Sequence, residues 1–138
     1  MIEIRQASPQ EADWVRAIWA KAQHPLRAVW IEEHLRAGNC HLALVDGTIA
    51  GYIIFAHTLF CMGFVEMLFV VQEHRRQGIA TALMNHAERL CKTDRIFVST
   101  NESNMAMHHL LVGRGYTPCG MLDLDPGDPE MFYAKKLK

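Results

Sequence analysis

Residues 64–100 restrict the possible folds more than any other stretch of the chain. "FVEMLFVV" (64–71) is an apolar, β-rich run, and "RIFVST" (95–100) is a second one. Between them, from about Gln77 to Lys92, Ile79, Leu83, Ala87 and Leu90 recur at the spacing of one helical face. Strand, amphipathic helix, strand is a crossover unit, so the two strands are expected to lie parallel with a right-handed connection.

The remaining segments build antiparallel structure around this unit. "IEIR" (2–5) alternates as a first strand, and "SPQE" reads as a helix start. Ser8 is the N-cap, Pro9 the first helical residue and Glu11 the return arm of a capping box. Ala12, Val15, Ile18, Trp19 and Ala22 continue that helix until His24-Pro25 breaks it. A second helix spans about 26–37, with Trp30, Ile31 and Leu35 facing inward and Gly38 as its cap. Two β-rich runs flank Asp46-Gly47, a hairpin signal. After the crossover come a short helix at about 104–112, ended by "GRG", and two strands joined by "DPGDPE". These elements describe a single α+β domain over residues 1–138. Its central sheet is mixed and mostly antiparallel, with helices on both faces and one parallel strand pair.

Charge and composition remove several function classes. Fourteen basic against 15 acidic residues give a formal net charge of −1, with no general attraction to nucleic acid or to an anionic membrane. No apolar run approaches the ~20 residues of a membrane span, and the charged start does not read as a signal peptide. A cytoplasmic location is the expectation. Cys40, Cys61, Cys91 and Cys119 form no CxxC pair, so each is read as a small buried hydrophobe rather than a metal or redox ligand. No metal is expected, and His24, His34, His41, His57, His74 and His86 receive no chemistry. A G-x-S-x-G elbow is absent, which disfavours a hydrolase.

One local feature runs against helix electrostatics. The positive end of a helix dipole favours Asp or Glu, yet the crossover helix opens with Arg75 and Arg76. Cations belong there if an anion docks onto the free N–H groups, with guanidinium forks assisting. The small residues Gly78 and Ala80 let the backbone approach a bulky ligand. The competing reading is a solvated cluster partly neutralised by Glu73. Neither a lysine-containing phosphate loop nor GxGxxG is present.

Arg75-Arg76-Gln77-Gly78-Ile79-Ala80 resembles the R/Q-x-x-G-x-G/A motif of the GCN5-related N-acetyltransferases. Val70 lies five residues before Arg75, as in that family's V-x-P-x-x-R, with Gln72 in place of the proline. Asn104 and Tyr116 in "NMAMHHLLVGRGY" are similar to its N…GF/GY signature, and the element order is similar along nearly the whole chain. The resemblance implies acetyl-CoA as cosubstrate, lying between strands 64–71 and 95–100. It implies that main-chain groups of Leu68, Phe69 and Val70 pair with pantetheine amides. The pyrophosphate would rest on Arg75, Arg76, Gln77, Gly78, Ile79, Ala80 and Thr81, and Asn104 would reach the pantetheine arm.

Glu66 is the only charged residue of its strand, where an unpaired carboxylate is unfavourable. Burial would raise its pKa toward that of a general base, and several family members carry an acidic residue at this position. The alternative is a glutamate at the solvent edge or paired with an arginine. Many relatives supply the leaving-group proton from a tyrosine five residues before the GF/GY aromatic; here that position is Leu111. His108, His109 and Tyr116 are the local substitutes. Asp123, Asp125, Asp128 and Glu130 cluster in one connection, either solvated or attracting a cationic acceptor. The expected activity is direct acetyl transfer to a primary amine of a small molecule or peptide. Two competitors remain: a non-catalytic CoA or acyl-CoA-binding module, favoured by Leu111, and a phosphate-ligand protein unrelated to CoA. The sequence has no mark of oligomeric state, and a homodimer stays open.

Overall fold

The computed structural model describes residues 1–19 and 25–138. The expectations placed on Ala22 and His24 lie outside the described residues. The elements follow in the order β1 (Ile2–Gln6), α1 (Pro9–Trp19), α2 (Pro25–Arg36), β2 (Cys40–Val45), β3 (Thr48–Leu59) and β4 (Met62–Val70). A 3-10 turn (Gln72–His74) leads to α3 (Ile79–Leu90), β5 (Arg95–Asn101), α4 (Met105–Gly113), β6 (Thr117–Leu122) and β7 (Glu130–Lys136). The strands form one mixed sheet in the order β1-β2-β3-β4-β5-β7-β6. Its parallel pair is β4 with β5, in register from Gly63↔Ile96 to Val65↔Val98. The crossover unit read from residues 64–100 is therefore present.

Local chemistry accounts for the element ends. Ser8 Oγ accepts from the Glu11 N–H at 3.2 Å, and Glu11 Oε1 accepts from the Ser8 N–H at 2.9 Å, closing the capping box. Arg5 then clamps both Glu11 oxygens at 2.6 Å. With Arg5 as the main cause, the Glu11 carboxyl is lowered to about 2. Gly38 stops α2 in the left-handed region, φ +75°, where a side chain is strained. Asp46 and Gly47 both have positive φ and join β2 to β3, as a type I′ hairpin requires.

The chain divides into two compact units. One is Met1–Phe55 with Met67–His86, the other Ala56–Glu66 with Ala87–Lys138. The first holds a core of Val15, Ile31, Leu42, Leu44, Tyr52 and Ile54, against which Trp14, Met67 and Phe69 pack. The Trp14 and Phe69 rings both lie against Tyr52, at 6.3 and 5.7 Å between centroids. In the second, Ile96, Val98, Leu111, Tyr116 and Tyr133 are buried, whereas every residue of β6 is exposed.

Two expectations about burial are corrected. Cys40 and Cys91 are buried, but Cys61 and Cys119 are exposed, one in the β3–β4 turn and one on β6. Leu90, assigned to the inner face of α3, is 38% exposed at the helix end. No helix among the described residues is long and apolar enough to cross a membrane.

Candidate active site

In the first unit, the end of β4 feeds a turn whose backbone is shaped for close approach. The Val71 N–H donates to the Ala50 carbonyl at 2.8 Å, holding the strand end to β3. Gly51 lies so near that a Cβ there would sit 2.4 Å from the Phe69 carbonyl oxygen. Leu68, Phe69 and Val70 thus form a strand segment fixed by a tight backbone contact. The Arg75 N–H then closes on the Gln72 carbonyl, and Arg76 (φ +63°) and Gly78 (φ +82°) turn the chain through the left-handed region. The first bond of α3 runs from the Ala82 N–H to the Gly78 carbonyl at 3.0 Å. The N–H groups of Ile79, Ala80 and Thr81 precede that ladder and point out of the helix start.

The front of this turn is open, since a Cβ on Gly78 would meet nothing within 4 Å. Ile79 is buried and anchors the helix, while Arg75, Arg76, Gln77, Gly78 and Thr81 are exposed. The two arginines do not act alike. Arg75 Nε donates back to the Val70 carbonyl at 3.2 Å, whereas the exposed Arg76 makes no such bond to the turn. Among the described residues neither forms an ion pair, with Glu73 or any other acid. Gln77 is occupied locally, with His74 Nδ1 at 3.2 Å from its Oε1 and its Nε2 donating to the Glu73 carbonyl. Free amides and the positive end of a helix dipole favour an anion at a turn of this shape.

Also in the first unit, His86 Nε2 of α3 lies 3.0 Å from His41 Nδ1 of β2. Burial, with a contribution from His86, lowers the His41 pKa to about 4. Neither histidine belongs to a sequence motif, and their 45-residue separation offers no local signal.

In the second unit, Glu66 is half-buried and its Oε1 accepts from the Thr58 hydroxyl. The enclosed strand expected from "FVEMLFVV" holds only at alternate positions, with Gly63 and Val65 buried and Phe64 and Glu66 half-covered. Thr58 was not anticipated; it comes from β3, and its partner is set by strand pairing rather than by any motif. Asn104 caps α4, its Oδ1 accepting from the Met107 N–H at 3.2 Å. The residue is exposed, and its side-chain N–H₂ group is the part that a ligand can use.

The substitutes for the absent tyrosine separate clearly. Leu111 is fully buried and apolar. Tyr116 is buried and donates to Glu88 Oε2 at 2.7 Å; burial and then Glu88 raise its pKa. Arg114 and Lys135 also converge on Glu88, at 3.0 and 3.4 Å, so this is a structural network. His108 Nε2 faces the carbonyls of Asn101 and Glu102 at 3.1 and 2.9 Å. That nitrogen therefore carries the hydrogen, and Nδ1 accepts from the Tyr133 hydroxyl at 2.6 Å. His109 is exposed. Of the acidic connection, Asp128 accepts from the Ser103 N–H and hydroxyl at 3.0 and 2.7 Å, tying the β6–β7 loop to the chain after β5. Asp123 and Asp125 are exposed. Among the described residues no group of three or more His, Cys, Asp or Glu could hold a metal ion.

The sequence profile of the Acetyltransferase (GNAT) family matches residues 4–116. A GNAT-family acetyltransferase structure from Bacillus cereus ATCC 10987 superposes with a TM-score of 0.86 at 28% identity, covering 99% of this chain and 97% of that one. Ard1 from Thermoplasma volcanium gives 0.83 at 17% identity, with 98% and 97% covered. A streptothricin acetyltransferase structure from Bacillus anthracis str. Ames, described as putative and in complex with acetyl coenzyme A, gives 0.65 at 18% identity, with 70% and 61% covered. The last two share the fold. No curated protein matches the sequence.

Proposed function

The chain belongs to the acetyltransferase (GNAT) family, and from that premise we propose that it is an N-acetyltransferase. In this reading it moves the acetyl group of acetyl-CoA to a primary amine by direct attack. The observation that carries it is the turn from Arg75 to Thr81: open in front, lined by N–H groups outside the helix ladder, and flanked by an arginine with no ion pair among the described residues. A diphosphate fits such a donor set better than a single carboxylate does.

Main-chain groups of Leu68, Phe69 and Val70 pair with the pantetheine amides, and N–H groups from Arg76 to Thr81, with the Arg75 guanidinium beside them, receive the pyrophosphate. The Asn104 side-chain N–H₂ donates to the pantetheine arm. Bound acetyl-CoA supplies an activated thioester whose thiolate, with an ordinary thiol pKa of about 8.5, leaves without strong acid assistance. Glu66 takes the proton from the acceptor's ammonium, and the Thr58 hydroxyl holds the carboxylate in place. A strand N–H near Phe69 stabilises negative charge developing on the thioester oxygen. The nitrogen forms the new C–N bond as the C–S bond breaks. The second proton shed by the attacking nitrogen passes through water to the thiolate, because Leu111 offers no proton and Tyr116 is committed to Glu88.

The test is thiol release from acetyl-CoA with a panel of amines. Turnover on at least one amine is expected, with Glu66→Gln lowering kcat by about 100-fold, the lower end for a lost general base. CoA binding with no release on any amine, and no effect of Glu66→Gln, would favour the non-catalytic module to which Leu111 points.

A further inference from the structure

The second unit carries an open groove of about 370 Å³, within the range of small-molecule sites. Its walls include Leu59 and Met62 beside the β3–β4 turn, Phe97 and Phe132 from β5 and β7, and Met121 and Leu122 from β6. No lining residue is charged. A side-chain link joins it to Glu66. Phe64, two residues before Glu66, pairs with Phe97 and stacks on Phe132 at 6.0 Å and 14°. The charged groups around the groove are sorted by end. Leu122 pairs with Glu130 and is followed by Asp123, whereas the Arg95 guanidinium stands over the Phe97 ring, 5.1 Å from its centroid.

We propose that this groove holds the apolar body of the acceptor, making the substrate class a primary amine on an alkyl or aryl chain rather than a polyamine or an aminoglycoside. The inference rests on the reading of Glu66 as the group that handles the amine. Charge at one end and hydrocarbon along the floor complement such a molecule at both ends. A second or third ammonium would meet no carboxylate along the groove and would approach the Arg95 guanidinium at its other end, which is unfavourable. Each methylene that reaches the groove tightens binding roughly fourfold, so affinity rises with chain length.

Met62 and Met121 report occupancy directly, through their carbon-13-labelled methyl signals. Titration with 4-phenylbutylamine is expected to shift both, while spermidine shifts neither. In thiol release, the double variant Met121→Gln/Leu122→Gln, both sites being exposed, should raise the KM for 4-phenylbutylamine at least tenfold. The KM for ethylamine should change by less than twofold. Methyl shifts without acetylation of any amine would sink the proposed reaction while leaving the groove assignment standing. Absent shifts, equal shifts with spermidine, or an equal rise in KM for both amines would overturn the inference. So would sedimentation showing a dimer that the double variant dissociates, because a second copy would then occupy the groove.

Discussion

Two hairpin turns in this molecule use the same backbone and opposite chemistry. Asp46-Gly47 joins β2 to β3 with φ of +51° and +83°; Phe60-Cys61 joins β3 to β4 with φ of +51° and +68°. The first pair suits the left-handed region, where a turn aspartate and a glycine carry little strain. The second places a phenylalanine that is 94% exposed, and a cysteine, in a conformation such residues avoid. The difference extends to the units that hold the turns. In the first, Gly51 meets the Phe69 carbonyl so closely that no side chain fits; in the second, Gly120 of β6 has nothing within 4 Å of a Cβ. The first unit positions a strand and a helix start tightly. The second leaves apolar surface uncovered beside Glu66.

This contrast can be broken most directly at the two glycines. Gly51→Ala is expected to lower stability by about 2–3 kcal/mol, since a Cβ against fixed backbone must displace the Phe69–Val70 segment; Gly120→Ala should stay within about 0.5 kcal/mol. Denaturant titration of both variants measures the difference, and equal effects would erase the distinction between the units. At the turns, replacing Phe60-Cys61 by Asn-Gly should stabilise by about 1 kcal/mol by relieving left-handed strain. Replacing Gly47 by valine should destabilise by a similar amount, and thermal unfolding reads both. If the Asn-Gly variant gained nothing, the Phe60-Cys61 turn would not be strained.

Acidity should act on the first unit. Glu11 has its folded pKa lowered to about 2 and His41 to about 4. Each therefore contributes stability that is present above its unfolded value and lost as pH falls. The His41 contribution is lost between about 6.5 and 4, the Glu11 contribution between about 4.5 and 2. His41→Leu should flatten the upper window and leave the lower one unchanged. An unaltered slope between pH 6.5 and 4 would show that the buried His41 site does not contribute.

The legible parts were those written in local chemistry. Ser8, Pro9 and Glu11 cap α1, Gly38 stops α2, and Asp46-Gly47 fixes a hairpin, because each depends on residues a few positions apart. The crossover unit was readable because only a parallel pair accommodates strand, amphipathic helix, strand. Thr58, the His41–His86 contact and the exposure of Cys61 and Cys119 depend on which elements pack together, and no spacing encodes that. Arg75 shows the same limit. Its motif position points to a ligand contact, and the bond from its Nε to the Val70 carbonyl is visible only in the turn geometry. Asn104 was read for its cofactor contact, and its helix-capping bond emerged only with the position of α4.

Calorimetric titration of CoA into the protein and into Arg76→Ala/Gly78→Glu addresses the central claim most directly. Saturable binding by the native chain is predicted, with affinity falling at least 100-fold in the variant while its unfolding midpoint stays within a few degrees. Native-like affinity in the folded variant would contradict the placement of the diphosphate at this turn.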